Sequence, residues 1–145
     1  MISETTVRVR YAETDTMGVV YYGNYLTYFE VGRVEFLRQH GLPMSEVDRK
    51  VRMPVVEATV RYHRPARLDD LLRIRTWVAD RKRASFLFRY EIERAEPTTP
   101  VEPTAVVVAT GETRHACWYP ETQRMIAIPE WLDPLLTVER GDPAR

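Results

Sequence analysis

The sequence predicts an α+β fold in which an antiparallel sheet of about five strands carries one long helix packed on its face. Three observations predict it. Stretches with alternating apolar and polar residues recur along the chain, one long segment has helical spacing, and turn-forming residues separate them.

Over residues 5–11, Val7, Val9 and Tyr11 alternate with Arg8 and Arg10, the mark of a half-buried strand. The turn-rich run Glu13-Thr14-Asp15-Thr16-Met17-Gly18 follows. Over 24–40, Tyr25, Leu26, Phe29, Phe36 and Leu37 keep helical spacing. Asn24 is expected to accept from the free amides of the first turn, and Gly41 with Pro43 ends the helix. Gly32 allows close backbone approach at its middle.

A short connection is expected over 44–50, and four further strands then read as an antiparallel meander. The first sets Val56, Ala58, Val60 and Tyr62 against Glu57, Thr59, Arg61 and His63. The second sets Leu72, Ile74 and Val78 against Arg73 and Arg75. The third sets Phe86, Phe88, Tyr90 and Ile92 against Arg89, Glu91 and Glu93. The proline-rich run 97–103 is expected to be a hairpin tip. The last strand, 105–118, has Gly111 as an expected bulge, and a short terminal helix is expected from near Pro129.

No repeat or linker interrupts the chain, so residues 1–145 are expected to form a single domain. One helix cannot cover such a sheet. The free edge, with Trp77 and Trp118, is therefore expected to be covered by a second copy, and the expected assembly is a homodimer or homotetramer.

Composition narrows the function. Lys plus Arg number 21, as do Asp plus Glu, so no global electrostatic footprint for nucleic acid exists. The single cysteine, Cys117, allows no intrachain disulfide and suits a reducing compartment. The amino terminus lacks a basic region followed by an apolar one, and no segment is apolar over a bilayer-spanning length. A cytoplasmic protein without membrane insertion is expected.

Serine-elbow, phosphate-loop and dinucleotide motifs are missing from the sequence. His40, His63 and His115 do not have zinc-site spacing, so no metal is expected. His115 and Cys117 alternate onto one strand face, where two packed strand residues are the expectation. The remaining candidate is Asp15, in a loop just ahead of a helix start. Free amides at a helix tip favour negative charge and can hold an oxygen as it becomes an oxyanion, beside a carboxylate that attacks or activates water. Met17, Val19, Val20 and the tyrosines would keep such a site dry. Asp15 and Thr16 also suit an ordinary turn or cap, and the residues alone favour that common use.

The segment Asp15, Gly18, Val19, Tyr22, Asn24, Tyr25 resembles the signature of the 4-hydroxybenzoyl-CoA thioesterase family, including its Tol-Pal-associated acyl-CoA thioesterase relatives. Tyr62-His63-Arg64-Pro65-Ala66-Arg67-Leu68-Asp69-Asp70 is similar to that family's strand-to-strand turn, and Ser85-Phe86 to the opening of its next strand. The resemblance extends over nearly the whole chain and implies a hot-dog fold, an antiparallel sheet wrapped on one long central helix. It implies an acyl-CoA thioesterase in which Asp15 is nucleophile or general base and the Tyr22 amide polarises the thioester carbonyl. Gly18, Val19 and Tyr25 would then line the substrate site. Lys82 and Arg83, with Arg81 before them and Ser85 after, stand where relatives meet coenzyme A phosphates at a subunit boundary, although a charge run also suits a solvated loop. Coenzyme A is part of the substrate, so no separate cofactor is implied. Glu30 and Glu35 on the helix are a secondary source of an acid. A binding module for acyl-CoA or acyl carrier without turnover is the alternative function.

Overall fold

A computed structural model describes residues 1–96 and 106–141. It comprises β1 (Ile2–Arg8), α1 (Asn24–Gln39), α2 (Met44–Lys50), β2 (Val55–Tyr62), β3 (Leu71–Arg81), β4 (Ser85–Glu96), β5 (Val106–Tyr119) and β6 (Arg124–Ile126), with 3-10 turns at Tyr11–Glu13 and Asp133–Leu136. The expected tip at 97–103 lies outside the described residues. All strand pairings are antiparallel, in the order β1-β3-β4-β5-β2, and β6 adds to β5 beyond the end of β2.

The helix lies on the sheet because the alternation puts large apolar groups under it. Phe86, Phe88, Tyr90 and Ile92 of β4 are buried, with Leu72, Ile74 and Val78 of β3. The Phe29 ring stacks on Tyr90 with centroids 4.3 Å apart, and Phe36 meets Phe88 edge-on at 5.2 Å. Each such ring contributes about 1.5–3 kcal/mol by leaving water. Gly32 lets α1 settle: a Cβ there would lie 2.5 Å from Thr76 Oγ1 and 2.8 Å from Ile74 Cγ2.

Several expectations change. The four later strands are not one meander, because β2 pairs with β5 and not with β3. Both sides of β3 are occupied, by β1 and β4, so β2 must cross to the opposite edge. The first strand runs Ile2–Arg8 instead of 5–11, since Tyr11 turns away and is 81% exposed. The connection over 44–50 is itself a helix, α2, anchored by buried Val47. The expected terminal helix is only the 3-10 turn Asp133–Leu136.

Gly111 is in register with both Val60 and Tyr90, so it is no bulge. Its missing side chain serves packing: a Cβ would come within 2.4 Å of the Phe29 ring and of the Thr59 carbonyl oxygen. Trp77 needs no second copy for burial. It is 1% exposed within one chain, beside its cross-strand neighbours Ile2 and Arg89, and the terminal segment returns to β3 through Glu139 N–H to the Val78 carbonyl at 2.9 Å.

Candidate active site

The loop before α1 is built by short-range hydrogen bonds. The Asp15 amide donates to the Val19 carbonyl at 2.9 Å and the Gly18 amide to the Asp15 carbonyl at 3.0 Å. This turn requires Gly18 at φ +78°, a left-handed conformation that glycine adopts at least cost. The Asp15 carboxylate completes the turn, with Oδ1 accepting from the Met17 amide at 2.8 Å and from the Val19 amide at 3.4 Å. Its Oδ2 has no partner among the described residues. One oxygen of Asp15 therefore holds the turn, and the other is available.

The loop is tied to the rest of the fold at two points. Val20 N–H donates to the Ala66 carbonyl at 2.8 Å, and Val19 forms an isolated bridge with Arg67. On the helix side, the Glu13 carbonyl accepts from Tyr21 N–H at 2.9 Å and from Asn24 Nδ2 at 2.8 Å. Asn24 is thus a donor to the loop and not the acceptor expected of a helix cap. The 3-10 turn ahead of the loop brings the Glu13 carbonyl close enough to take its amide.

At the start of α1, Asn24 N–H reaches the Tyr21 carbonyl at 2.9 Å. The Tyr22 and Gly23 amides have no backbone acceptor among the described residues, which leaves two donors at the positive end of the helix dipole. Tyr22 is 63% exposed.

Tyr25 does not present an open surface to a substrate. It is buried, edge-on to Tyr28 at 5.9 Å and to Tyr62 at 5.3 Å, so it forms part of the wall supporting the tip. Burial pushes its phenol up to about 12, against a smaller opposing pull from a backbone hydrogen bond at Ala66. Burial, and after it the hydrogen bond to Glu13, push the Tyr28 phenol well above the ordinary tyrosine range, and its hydroxyl donates to Glu13 Oε1 at 3.0 Å. Both phenols stay protonated at neutral pH, and that of Tyr28 is the donor to Glu13.

The other predicted residues lie at the far end of the sheet. Lys82 and Arg83 follow β3, whereas the Asp15 loop is tied to Ala66 and Arg67, just before β3 begins. The strand between them has 11 residues, which at the usual rise separates the two groups by roughly 30 Å. Arg81 is paired with Asp133. Lys82 and Arg83 have no ion-pair partner among the described residues. Ser85 Oγ accepts from Arg114 Nη1 at 3.4 Å, and Arg114 Nη2 bonds Asp80 at 2.9 Å. That bond is the main cause of the lowered Asp80 carboxyl pKa. Glu30 and Glu35 pair along α1 with Arg33 and Arg38. No cluster of metal-ligating side chains occurs among the described residues.

Three features escaped sequence reasoning. An open groove of about 570 Å³ lies between α2 and the start of β2, lined by Met44, Asp48, Arg52, Met53, Pro54 and Trp118. His115 and Cys117 occupy different settings: His115 belongs to a buried chain, Tyr90 to Thr113 at 2.6 Å and Thr113 to His115 Nε2 at 2.8 Å, and its Nδ1 meets the Met53 carbonyl at 3.0 Å. Because a carbonyl only accepts, His115 is the Nδ1-protonated tautomer and Thr113 donates to Nε2. Burial pushes the Cys117 thiol up to about 11, which suits a packed residue and not a nucleophile. The third feature is the Tyr62 hydroxyl, which donates to the Tyr22 carbonyl at 2.9 Å. Apart from Thr113 and His115, these partners are far apart in sequence, and no local pattern announces them.

The family model described as a thioesterase-like superfamily matches residues 9–136. The chain belongs to the thioesterase-like superfamily. That membership places it among thioester hydrolases with the hot-dog fold. A putative acyl-CoA thioesterase of Bacillus subtilis is 30% identical over 135 residues, covering 90% of this chain and 92% of that protein. An acyl-CoA thioester hydrolase of Escherichia coli is 39% identical over 103 residues, 70% of this chain and 77% of that one. The crystal structure of a hypothetical protein from Thermus thermophilus superposes with a TM-score of 0.82 at 39% identity, covering 94% of this chain and 95% of that chain.

Proposed function

We propose that this superfamily member hydrolyses an acyl-CoA to a free acid and coenzyme A, with Asp15 as nucleophile or general base. The observation that carries the proposal is the placement of Asp15. One carboxylate oxygen is fixed by loop amides and the other is free, in a loop bonded to the start of α1, where the Tyr22 and Gly23 amides are open. A carbonyl held by those amides gains stabilisation as charge develops on its oxygen, and the free carboxylate oxygen supplies attack or takes a proton from water. The acyl-CoA substrate is also the one named for the Bacillus and Escherichia relatives.

The working unit in this proposal is a homodimer joined along β2. This strand is an edge of eight residues, exposed nearly throughout, with Val55 43% and Val56 56% exposed and no proline or lysine to blunt it. Two-fold antiparallel pairing of β2 with its copy sets the Val55 end of one subunit beside the Tyr62 end of the other. The Tyr62 end adjoins Tyr22 and the Asp15 loop. The Val55 end adjoins β5 at His115, next to the Ala116 that pairs with Ser85. Dimerisation therefore brings Asp15 of one subunit towards Lys82, Arg83, Ser85 and the Met53 groove of the other. A coenzyme A that cannot run the length of one sheet could cross between subunits, its phosphates on Lys82 and Arg83. The protein would act in the cytoplasm without any separate cofactor.

The test is a panel of aromatic, short and long aliphatic acyl-CoA thioesters assayed by release of free thiol, with Asp15→Asn alongside. Expected is turnover of at least one class by the wild type and its loss in the variant. Binding without thiol release by the wild type would favour a non-catalytic module, and undiminished turnover in the variant would remove Asp15 from the chemistry.

A further inference from the structure

The direction of an amide N–H is fixed by its own peptide plane, because in a trans peptide the N–H lies opposite the C=O. Two peptides flank Tyr22. The Tyr21–Tyr22 peptide is anchored by its carbonyl, which accepts from Asn24 N–H at 2.9 Å, a bond internal to the start of the helix. The Tyr22–Gly23 peptide is anchored at its carbonyl by the Tyr62 hydroxyl at 2.9 Å, from the far edge strand. Anchoring both carbonyls fixes the torsions of Tyr22 and the aim of the Tyr22 and Gly23 amides. Tyr62 is itself located by its edge-on contact with Tyr25, at 5.3 Å and 74°. Since Tyr25 is 3% exposed while Tyr62 is 51% exposed, the ring is seated on a rigid neighbour and only its hydroxyl reaches the loop.

We propose that Tyr62 is a positioning residue of the reaction, a strut from the edge strand that holds the Tyr22–Gly23 peptide so that the amides at the start of α1 face the thioester carbonyl. The inference rests on the thioesterase function above and goes beyond it by assigning the aim of those donors to a side chain on β2. Removing the hydroxyl leaves the Tyr22 carbonyl exposed to water and not buried without a partner, so the cost falls on geometry and not on folding. Transition-state stabilisation by preorganised amides is lost when they swing, whereas binding of the rest of the substrate is untouched.

The test is Tyr62→Phe, which keeps the ring and its packing. With the best substrate of the panel, kcat is expected to fall about tenfold while KM changes by less than about twofold and the melting temperature is retained. The backbone N–H order parameter of Gly23, which needs no turnover, is expected to fall from the rigid range of about 0.85 to below about 0.6. Wild-type kcat and a wild-type order parameter in Tyr62→Phe would overturn the assignment, as would a loss expressed in KM alone. If the wild type hydrolysed no thioester, the proposed function would fall on that result, and the order parameter would still decide whether Tyr62 holds the peptide.

Discussion

Strands β4 and β2 carry the same period-two pattern and meet opposite fates. In β4, Phe86, Phe88, Tyr90 and Ile92 are buried beneath α1. In β2, the equivalent Val56 and Tyr62 are 56% and 51% exposed. The alternation is a property of each strand, but burial depends on what lies across from it. β4 has β3 and β5 on its two sides and a helix above, whereas β2 is an edge strand paired with β5 alone. Stability is concentrated in the first region. The second holds the loop, the open amides and the free edge, which are the parts available to a substrate and a partner.

The largest expected effect separates the two regions through chemistry. Asp15→Asn should lower kcat at least about a thousandfold, equivalent to about 4 kcal/mol, with the melting temperature unchanged. The asparagine amide oxygen can still accept from the Met17 and Val19 amides, so the turn survives. Steady-state thiol release and a thermal melt together check it.

Gly111→Ala should do the reverse, destabilising the fold by about 3 kcal/mol in urea titration, because the new Cβ collides with Phe29 and the Thr59 carbonyl. Activity per folded molecule should be retained. A variant of wild-type stability would show that the helix face yields more easily than its packing implies.

The buried chain at His115 gives a comparable effect that depends on pH. Burial holds His115 at about 4, down from 6.5, while Arg33 adds a smaller push the same way and a bond to Met53 opposes it. In the folded state the ring is neutral, and in the unfolded state it takes up a proton below 6.5. Stability from this group is full above about pH 6.5 and is lost as pH falls towards 4, by about 3 kcal/mol in total. Urea midpoints across that window should fall in the wild type and flatten in His115→Gln; parallel profiles would exclude His115 as the source.

The smallest effect concerns the edge. Val56→Lys adds a charge to the exposed strand and should weaken self-association about tenfold by light scattering across a dilution series, with little change in subunit stability. Unchanged association would move the proposed dimer contact off β2.

Much of the fold was legible because alternation and helical spacing are local. The α1 segment and strands β3 to β5 lie close to their expected positions, and the candidate loop stood out through Asp15, Gly18 and Asn24. What failed was non-local. A two-residue period does not say whether β2 lies beside β3 or β5, and a glycine in a strand reads as a bulge until a ring is seen lying on it. Tyr25 shared a motif with exposed Tyr22 and is buried, because Tyr25 lies within α1 among its core-facing residues while Tyr22 precedes the helix in the loop.

By itself the sequence determined α1, the strands β2 to β5 and the family, since each is written in residues close together along the chain. Only the tertiary structure decided which edge stayed open, that Asp15 and the Lys82–Arg83 pair stand at opposite ends of one sheet, and that Tyr62 reaches the Tyr22 carbonyl. Those facts depend on which strand claims each hydrogen-bonding edge, a competition settled by the whole chain and invisible in any one segment of it.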